Sequence, residues 1–285
     1  MVKIKKKRNL VKKTLVSILA IFLILICLMP LIFAIWNSFK DKTEYATSKL
    51  ALPKSITPLL ENINLLIKYD IFTSIKNTII TVSLAVILAA IFCSMAGFAF
   101  SKLKFPGRAF LYIFVLGILA LPLQVSVIPL FVMLSKLNLT CNVYSLAVLY
   151  SIWSFPFCTF LMTSFYKGIP SEITDSARID GANEFYIYTR IMLPLGKPAI
   201  VAVCTINFFW MWNELFMSMI FNRTGDSRLI TPYLGLYKTV VGIGDYTNWP
   251  VVFTGSVISL LIPLLVYFVL QNRIVEGLTA GTVKG

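Results

Sequence analysis

The chain has 285 residues, 58% of them hydrophobic and only 13% charged, with a mean hydropathy of +0.84. Soluble domains carry about 25% charged residues, so this composition excludes a water-exposed globular protein and points to an integral membrane protein. The formal charge of +14, from 26 Lys and Arg against 12 Asp and Glu, invites a nucleic-acid partner, which the placement of the charges argues against.

Runs without Asp, Glu, Lys or Arg cover 14–39, 77–101, 109–135, 137–166, 198–213 and 246–272. A helix needs about 20 residues to cross a hydrocarbon core of roughly 30 Å. Five runs are long enough; the fifth ends at Asn213 and reaches Phe221 only by including Glu214. Six spans are expected. The apolar part of the first is too long for a signal peptide, and no small-x-small cleavage pattern precedes Trp36, so it reads as an uncleaved span. With the N-terminus in the cytoplasm and sides alternating, 16 basic residues fall inside and 10 outside, concentrated in short flanks. That is the positive-inside pattern: the basicity reports topology, no nucleic-acid partner is expected, and the basic N-terminal run can also touch anionic lipid.

In chain order, an outer segment at 40–76 follows the first span and holds the amphipathic stretch "LLENINLLIKY" between prolines and the second span. Pro106 and Gly107 form a tight turn between spans two and three. The third span carries Pro122, Gln124, Ser126 and Pro129, which predict a kink or a stop near Pro129 followed by a short outer helix. These prolines either serve packing or free carbonyls that face a polar pathway. Pro156 is a similar case in the fourth span. Glu214 is the one acid inside an apolar context; with Trp210, Trp212 and Arg223 it fits an interfacial aromatic belt, or, beside Asn213, a pathway group. Cys27, Cys93, Cys141, Cys158 and Cys204 are scattered without a C-x-x-C and read as packing residues. The chain has no His, no metal site is expected, and an intramembrane enzyme would lack its usual base. The last nine residues hold three Gly, two Thr and Ala, too glycine-rich for a helix extension, and read as a flexible docking strand.

Between spans four and five lies a punctuated, acidic insert, "SEITDSARIDGANEFYIYTRIMLPLGKP". Ser171 is a candidate N-cap, with Glu172 and Asp175 in the first turn, and Asp180-Gly181 a C-cap. A second helix is expected from about Ala182, with Phe185, Tyr188 and Met192 on one side, until Pro194 and Pro198 break the chain. Ile173 and Ala177 share a face. Such a pair exposes more apolar surface than a loop needs and suits a groove on a soluble partner. The chain thus divides into 1–71, with a basic N-terminus, first span and outer segment; a five-span core at 72–272 carrying the loop 167–198; and a tail at 273–285.

The spacing Asp175-Ser176-Ala177, Asp180-Gly181-Ala182, eight residues, then Ile191-x-Leu193-Pro194 resembles the E-A-A, glycine, I-x-L-P loop of permease subunits of binding-protein-dependent ABC importers. Asp175 and Ser176 depart from the family's usual Glu and Ala. "NTIITVSLA", "LPLQVSVIPLF", "WNELF" and "EGLTAGTVKG" are similar to the sugar-importer branch that contains the inner-membrane subunit of maltose transport. The resemblance implies an all-α integral membrane protein of type I importer permease fold, with six transmembrane helices and cytoplasmic coupling helices. It implies that Glu172, Asp175, Ala177, Asp180, Gly181, Ala182, Ile191, Leu193 and Pro194 couple to an ATPase, and that the tail, with Gly277, Gly281, Lys284 and Gly285, reaches the same partner. Implied partners are a second, homologous permease subunit, two ATPase subunits that use ATP and Mg, and an extracytoplasmic sugar-binding protein. The cargo implied is a sugar, commonly a di- or oligosaccharide, and the setting a bacterial plasma membrane with both termini cytoplasmic. No G-x-x-x-x-G-K-[ST] loop occurs, so neither catalysis nor a cofactor is expected of this chain. Gln124, Trp212, Asn213 and Glu214 can hydrogen-bond or stack on a sugar and are the candidate pathway residues. An ion-gradient transporter or channel is the alternative, for which only Glu214 offers an intramembrane charge.

Overall fold

The computed structural model describes residues 2–222, 227–234 and 248–279, with side chains described for 13–122, 124–222, 227–234 and 248–271. Every regular element among them is helical. Among the described residues, four helices are individually long and apolar enough to cross a membrane: Lys13–Ser38, Ile71–Lys102, Val143–Lys167 and Trp249–Gln271. Two bent pairs, broken by 100° and 73°, bring the number to six if each is one span.

The chain falls into two compact units. One comprises residues 1–71 and 234–261. Its first helix, α1 (Val2–Ser38), is exposed from residue 13 to 30 on all sides. A helix of this length that is apolar all round is a membrane span. α1 ends in a polar knot. Lys40 is fully buried and its Nζ donates to the carbonyls of Ser48 (2.7 Å) and Lys49 (3.1 Å). Asn62, on α3 (Thr57–Lys68), donates to the carbonyls of Ser38 and Lys40 at 3.0 Å each. Between them, α2 (Lys42–Thr47) is capped by Asp41, whose carboxylate accepts from the Thr43 and Glu44 amides. The outer segment is therefore ordered by side chains that satisfy otherwise orphaned backbone carbonyls.

The other unit comprises residues 72–233 and 262–285. Here α4 (Ile71–Lys102) and α7 (Val143–Lys167) approach so closely that a Cβ on Gly97 would lie 2.5 Å from Met162 Cβ. Cys93, Phe98, Cys158, Met162 and Tyr166 form the core there, joined by Val203 of α11 (Lys197–Trp212). Asn207 of α11 spends its amide on the Val203 carbonyl and the Cys158 sulfur, both at 2.9 Å, so two of the scattered cysteines are core packing residues as expected.

Three expectations change. The third span breaks at Leu121–Pro122 and not near Pro129: α5 (Arg108–Gly117) runs into a 3-10 turn at Ile118–Ala120, Leu121 is extended, and α6 (Leu123–Lys136) starts in a new direction with Pro129 inside it. A residue before proline is driven out of the helical region, and Leu121 takes that route at ψ 127° whereas Ile128 stays helical. In α7 the helix continues through Pro156. The tail is also helical for longer than its composition suggested, because α13 (Trp249–Thr279) carries Gly277 within it. One glycine costs a helix about 1 kcal/mol, which the 31-residue helix tolerates.

Candidate functional site

The acidic insert forms two short helical pieces folded against the ends of α4 and α7. α8 (Ser171–Ile179) follows Pro170, which is extended (φ −55°, ψ 137°), so Ser171 is the first helical residue and not the side-chain cap expected; its carbonyl accepts the Thr174 hydroxyl at 2.8 Å. Glu172 and Asp175 are exposed on the first turns. The helix ends as the sequence predicts, with Asp180 at the cap and Gly181 at φ +81°. The amides of Ala182 and Gly181 bond back to the carbonyls of Ala177 and Arg178, both at 3.0 Å. This is the paired C-terminal closure that a left-handed glycine permits, and Ala177 and Ala182, its two apolar members, both rest on the core.

The return helix starts two residues later than expected. Asn183 caps α9 (Glu184–Tyr186), accepting the Tyr186 amide at 2.8 Å; a π-helical turn (Ile187–Met192) and α10 (Leu193–Leu195) follow. The wider turn changes which residues share a face. Ile187 and Met192, five apart, are fully buried beside Tyr188, while Phe185 is 70% exposed, so the anticipated Phe185–Tyr188–Met192 stripe does not form. Pro194 supplies the reason: it has no N–H for the Arg190 carbonyl and its ring would crowd that carbonyl in an α-turn, a conflict the π-turn relieves. Tyr188 is pinned through its hydroxyl, 2.7 Å from the Ser94 hydroxyl of α4.

Of the nine residues singled out in this insert, Ala177, Asp180, Gly181, Ala182 and Ile191 line one surface concavity of about 450 Å³, together with Asn183 and Tyr186, which sequence reasoning missed. Leu193 packs against the core, Pro194 is exposed where α10 begins, and Glu172 stands apart on the first turn of α8. Arg178 was missed altogether. Its Nε and Nη2 donate to the two oxygens of Glu184 (2.7 and 3.2 Å), and its Nη1 donates to Asp175 Oδ1 (2.6 Å). The hydrogen-bonded Glu184 carboxylate, with Asp175 adding to it, raises the guanidinium pKa above its ordinary value, so its charge is constant at any physiological pH. The i, i+3 spacing of Asp175 and Arg178 was the readable signal.

The candidate pathway residues are less alike than their chemistry suggested. Gln124 is exposed on α6. Trp212 is 3% exposed, its ring 5.6 Å from Phe208 and its carbonyl bonded to the Thr231 hydroxyl. Asn213 is exposed and caps α11 by donating to the Phe209 carbonyl at 2.8 Å. Glu214 does not lie within a helix as the run to Phe221 would require. It sits at the break before α12 (Phe216–Phe221), where its carboxylate accepts from the Met217 and Ser218 amides (2.8 and 3.1 Å) and the Tyr150 hydroxyl (2.7 Å). None of the four lines the cavity of about 1080 Å³ between α4, α6 and α7, whose walls include Phe92, Pro122, Ser126, Ser151 and Trp153. Of the tail residues, Gly277 is in α13, while Gly281, Lys284 and Gly285, like Arg223, lie outside the described residues.

Apolar spans with a charged helix pair folded onto the ends of two of them define a multi-pass membrane protein. The chain belongs to the family of binding-protein-dependent transport system inner membrane components, whose model matches residues 87–279. It is accordingly a multi-pass permease subunit of an ABC importer, a class that works with an ATPase and a binding protein. It is 33% identical over 92% of its length to a putative ABC transporter permease of Caldicellulosiruptor, covering 93% of that protein. It is 31% identical to the arabinooligosaccharide transport permease AraQ of Halalkalibacterium halodurans (99% of this chain, 100% of the relative) and 30% identical to the trehalose/maltose transport permease MalG of Thermococcus litoralis (98% and 99%). Its fold is similar to a bacterial ABC transporter that imports the acidic polysaccharide alginate, at a TM-score of 0.79 and 22% identity, over 92% of this chain and 96% of that one.

Proposed function

We propose that this permease carries a sugar, a di- or oligosaccharide, from an external binding protein to the cytoplasm by alternating access, and that the helix pair of residues 167–198 is where an ATPase grips it. The observation that carries the coupling reading is the closed turn at Asp180-Gly181-Ala182. It holds five of the named residues around one concavity on a body packed against two membrane helices. A groove-filling partner needs such a preformed surface, because ordering it on binding would cost affinity. The carbohydrate cargo is supported by the relatives, which include permeases for arabinooligosaccharides and trehalose/maltose. In this reading the complex contains a second, homologous permease subunit and two ATPase subunits. ATP and Mg are bound by the ATPase and not by this chain. The charge distribution supports cytoplasmic termini and a cytoplasmic helix pair, and the tail from Gly277 onward is a second contact for the ATPase. Gln124, Asn213 and Glu214 are candidates for sugar contacts, Trp212 for the wall behind them.

The test is uptake of labelled maltose, trehalose and arabinooligosaccharides into vesicles holding the full complex. Uptake that requires internal ATP and the binding protein is expected. Uptake that survives removal of ATP and collapses with an uncoupler would overturn the reading in favour of an ion-driven transporter.

A further inference from the structure

α8 is thinly anchored. Thr174 is its one buried residue among nine, Ala177 is half-buried, and the chain leaves it through a glycine turn. A partner pushing on such a helix could rotate it about Gly181 without moving a span. What opposes rotation is Arg178. Its guanidinium reaches Glu184 on α9 with two donors and Asp175 on its own helix, and its Nη2 lies 3.4 Å from the carbonyl of Lys102, the last residue of α4. A helix C-terminus is the favourable end for a cation, and the planar fork serves three directions at once, which a lysine ammonium on a flexible stem does not. A second link continues the chain of contacts: Lys102 is 9% exposed and its Nζ donates to the Ile169 carbonyl just beyond α7.

We propose that Arg178 is a positioning residue for coupling, a clamp that makes α8, α9 and the end of α4 one body, so that displacement of α8 is passed to the spans. The proposal rests on the coupling reading above. Glu184 is the holding arm, gripped by two donors, and Lys102 carries the connection on to α7.

The experiment compares the native chain with Arg178→Lys, Arg178→Gln and the exchange Arg178→Glu with Glu184→Arg. Hydrogen exchange over residues 171–186 is read on the permease alone. ATPase co-purification and sugar moved per ATP hydrolysed are read on the complete complex. Arg178→Lys is expected to retain ATPase binding while exchange over 171–186 rises roughly tenfold and transport per ATP falls by a similar factor; the exchange of partners restores part of both. Native exchange and native transport per ATP in Arg178→Lys would overturn the clamp. So would loss of ATPase binding with unchanged exchange, which would make Arg178 a docking residue. A native permease that binds no ATPase would instead overturn the coupling reading, and the exchange measurement on the permease alone still decides whether Arg178 is a clamp.

Discussion

Replacing Gly181 by Asp separates folding from coupling. Gly181 has φ +81°, and a Cβ built there meets no atom within 4 Å, so the chain itself offers no clash and the internal cost is backbone strain. For an L-residue in the left-handed region that strain is roughly 1–2 kcal/mol, at the low end for Asp, against a typical stability of about 5–15 kcal/mol. The protein should insert and fold, with its melting temperature lowered by a few degrees. The same carboxylate would stand on the rim of the concavity beside Asp180. If an ATPase element fills that space, an unpaired charge is buried at the contact, at a cost of about 3–5 kcal/mol. At 1.4 kcal/mol per factor of ten, ATPase affinity should fall at least about a hundredfold. Gly181→Ala carries the strain without the charge and should bind more tightly than the Asp variant. The assay is titration of the ATPase onto permease in lipid discs, with melting curves of the same samples. Native affinity in Gly181→Asp would refute the claim that this concavity is the ATPase contact.

Three further outcomes follow from the geometry. Gly97→Ala places a Cβ 2.5 Å from Met162 Cβ and 3.0 Å from the Thr163 amide nitrogen, backbone that cannot swing away, so a loss of about 1–3 kcal/mol in thermal stability is expected, and an unchanged melting curve would contradict the close approach of α4 and α7. Glu214→Gln keeps the size but leaves fewer acceptors for three donors; a loss of about 1–3 kcal/mol is expected, and a neutral effect would show that the break before α12 does not depend on the carboxylate. The third is a pH dependence. The Thr43 hydroxyl, followed by the Glu44 amide, lowers the Asp41 carboxyl pKa. A depressed folded value means the cap's contribution is complete above the unfolded value of about 3.9 and disappears as pH falls through the lower folded one. Exchange at the Thr43 and Glu44 amides should rise in that acid window and stay flat in Asp41→Asn, whose side chain still caps.

Parts of the site were legible because their signals are local. Gly181 after an acidic cap announces a left-handed turn, and the structure shows it at φ +81°. Arg178 was half legible: its pairing with Asp175 lies within one helix turn, but its pairing with Glu184 exists only after the chain folds back through Gly181. The Phe185–Tyr188–Met192 stripe failed because it assumed 3.6 residues per turn, and Pro194 imposes a wider one upstream of itself. Glu214 read as an interfacial or pathway acid and not as the partner of a buried tyrosine, since nothing near it in the chain announces the Tyr150 hydroxyl 64 residues earlier.

By itself the sequence determined what depends on composition, run length and side chemistry: a membrane protein, its apolar spans, the charged insert between the fourth and fifth, and the helix stop at Asp180-Gly181. These are properties of a residue and its immediate neighbours, and the free energies behind them, hydrocarbon transfer and backbone strain, are spent locally. Only the tertiary structure decided that the third span breaks at Pro122 and not at Pro129, that Trp212 is buried while Asn213 is exposed, and that Arg178 ties the insert to α4. Each of those is a choice among locally equivalent options; for Arg178 it was settled by a distant helix end, the Lys102 carbonyl of α4, which no neighbouring residue announces.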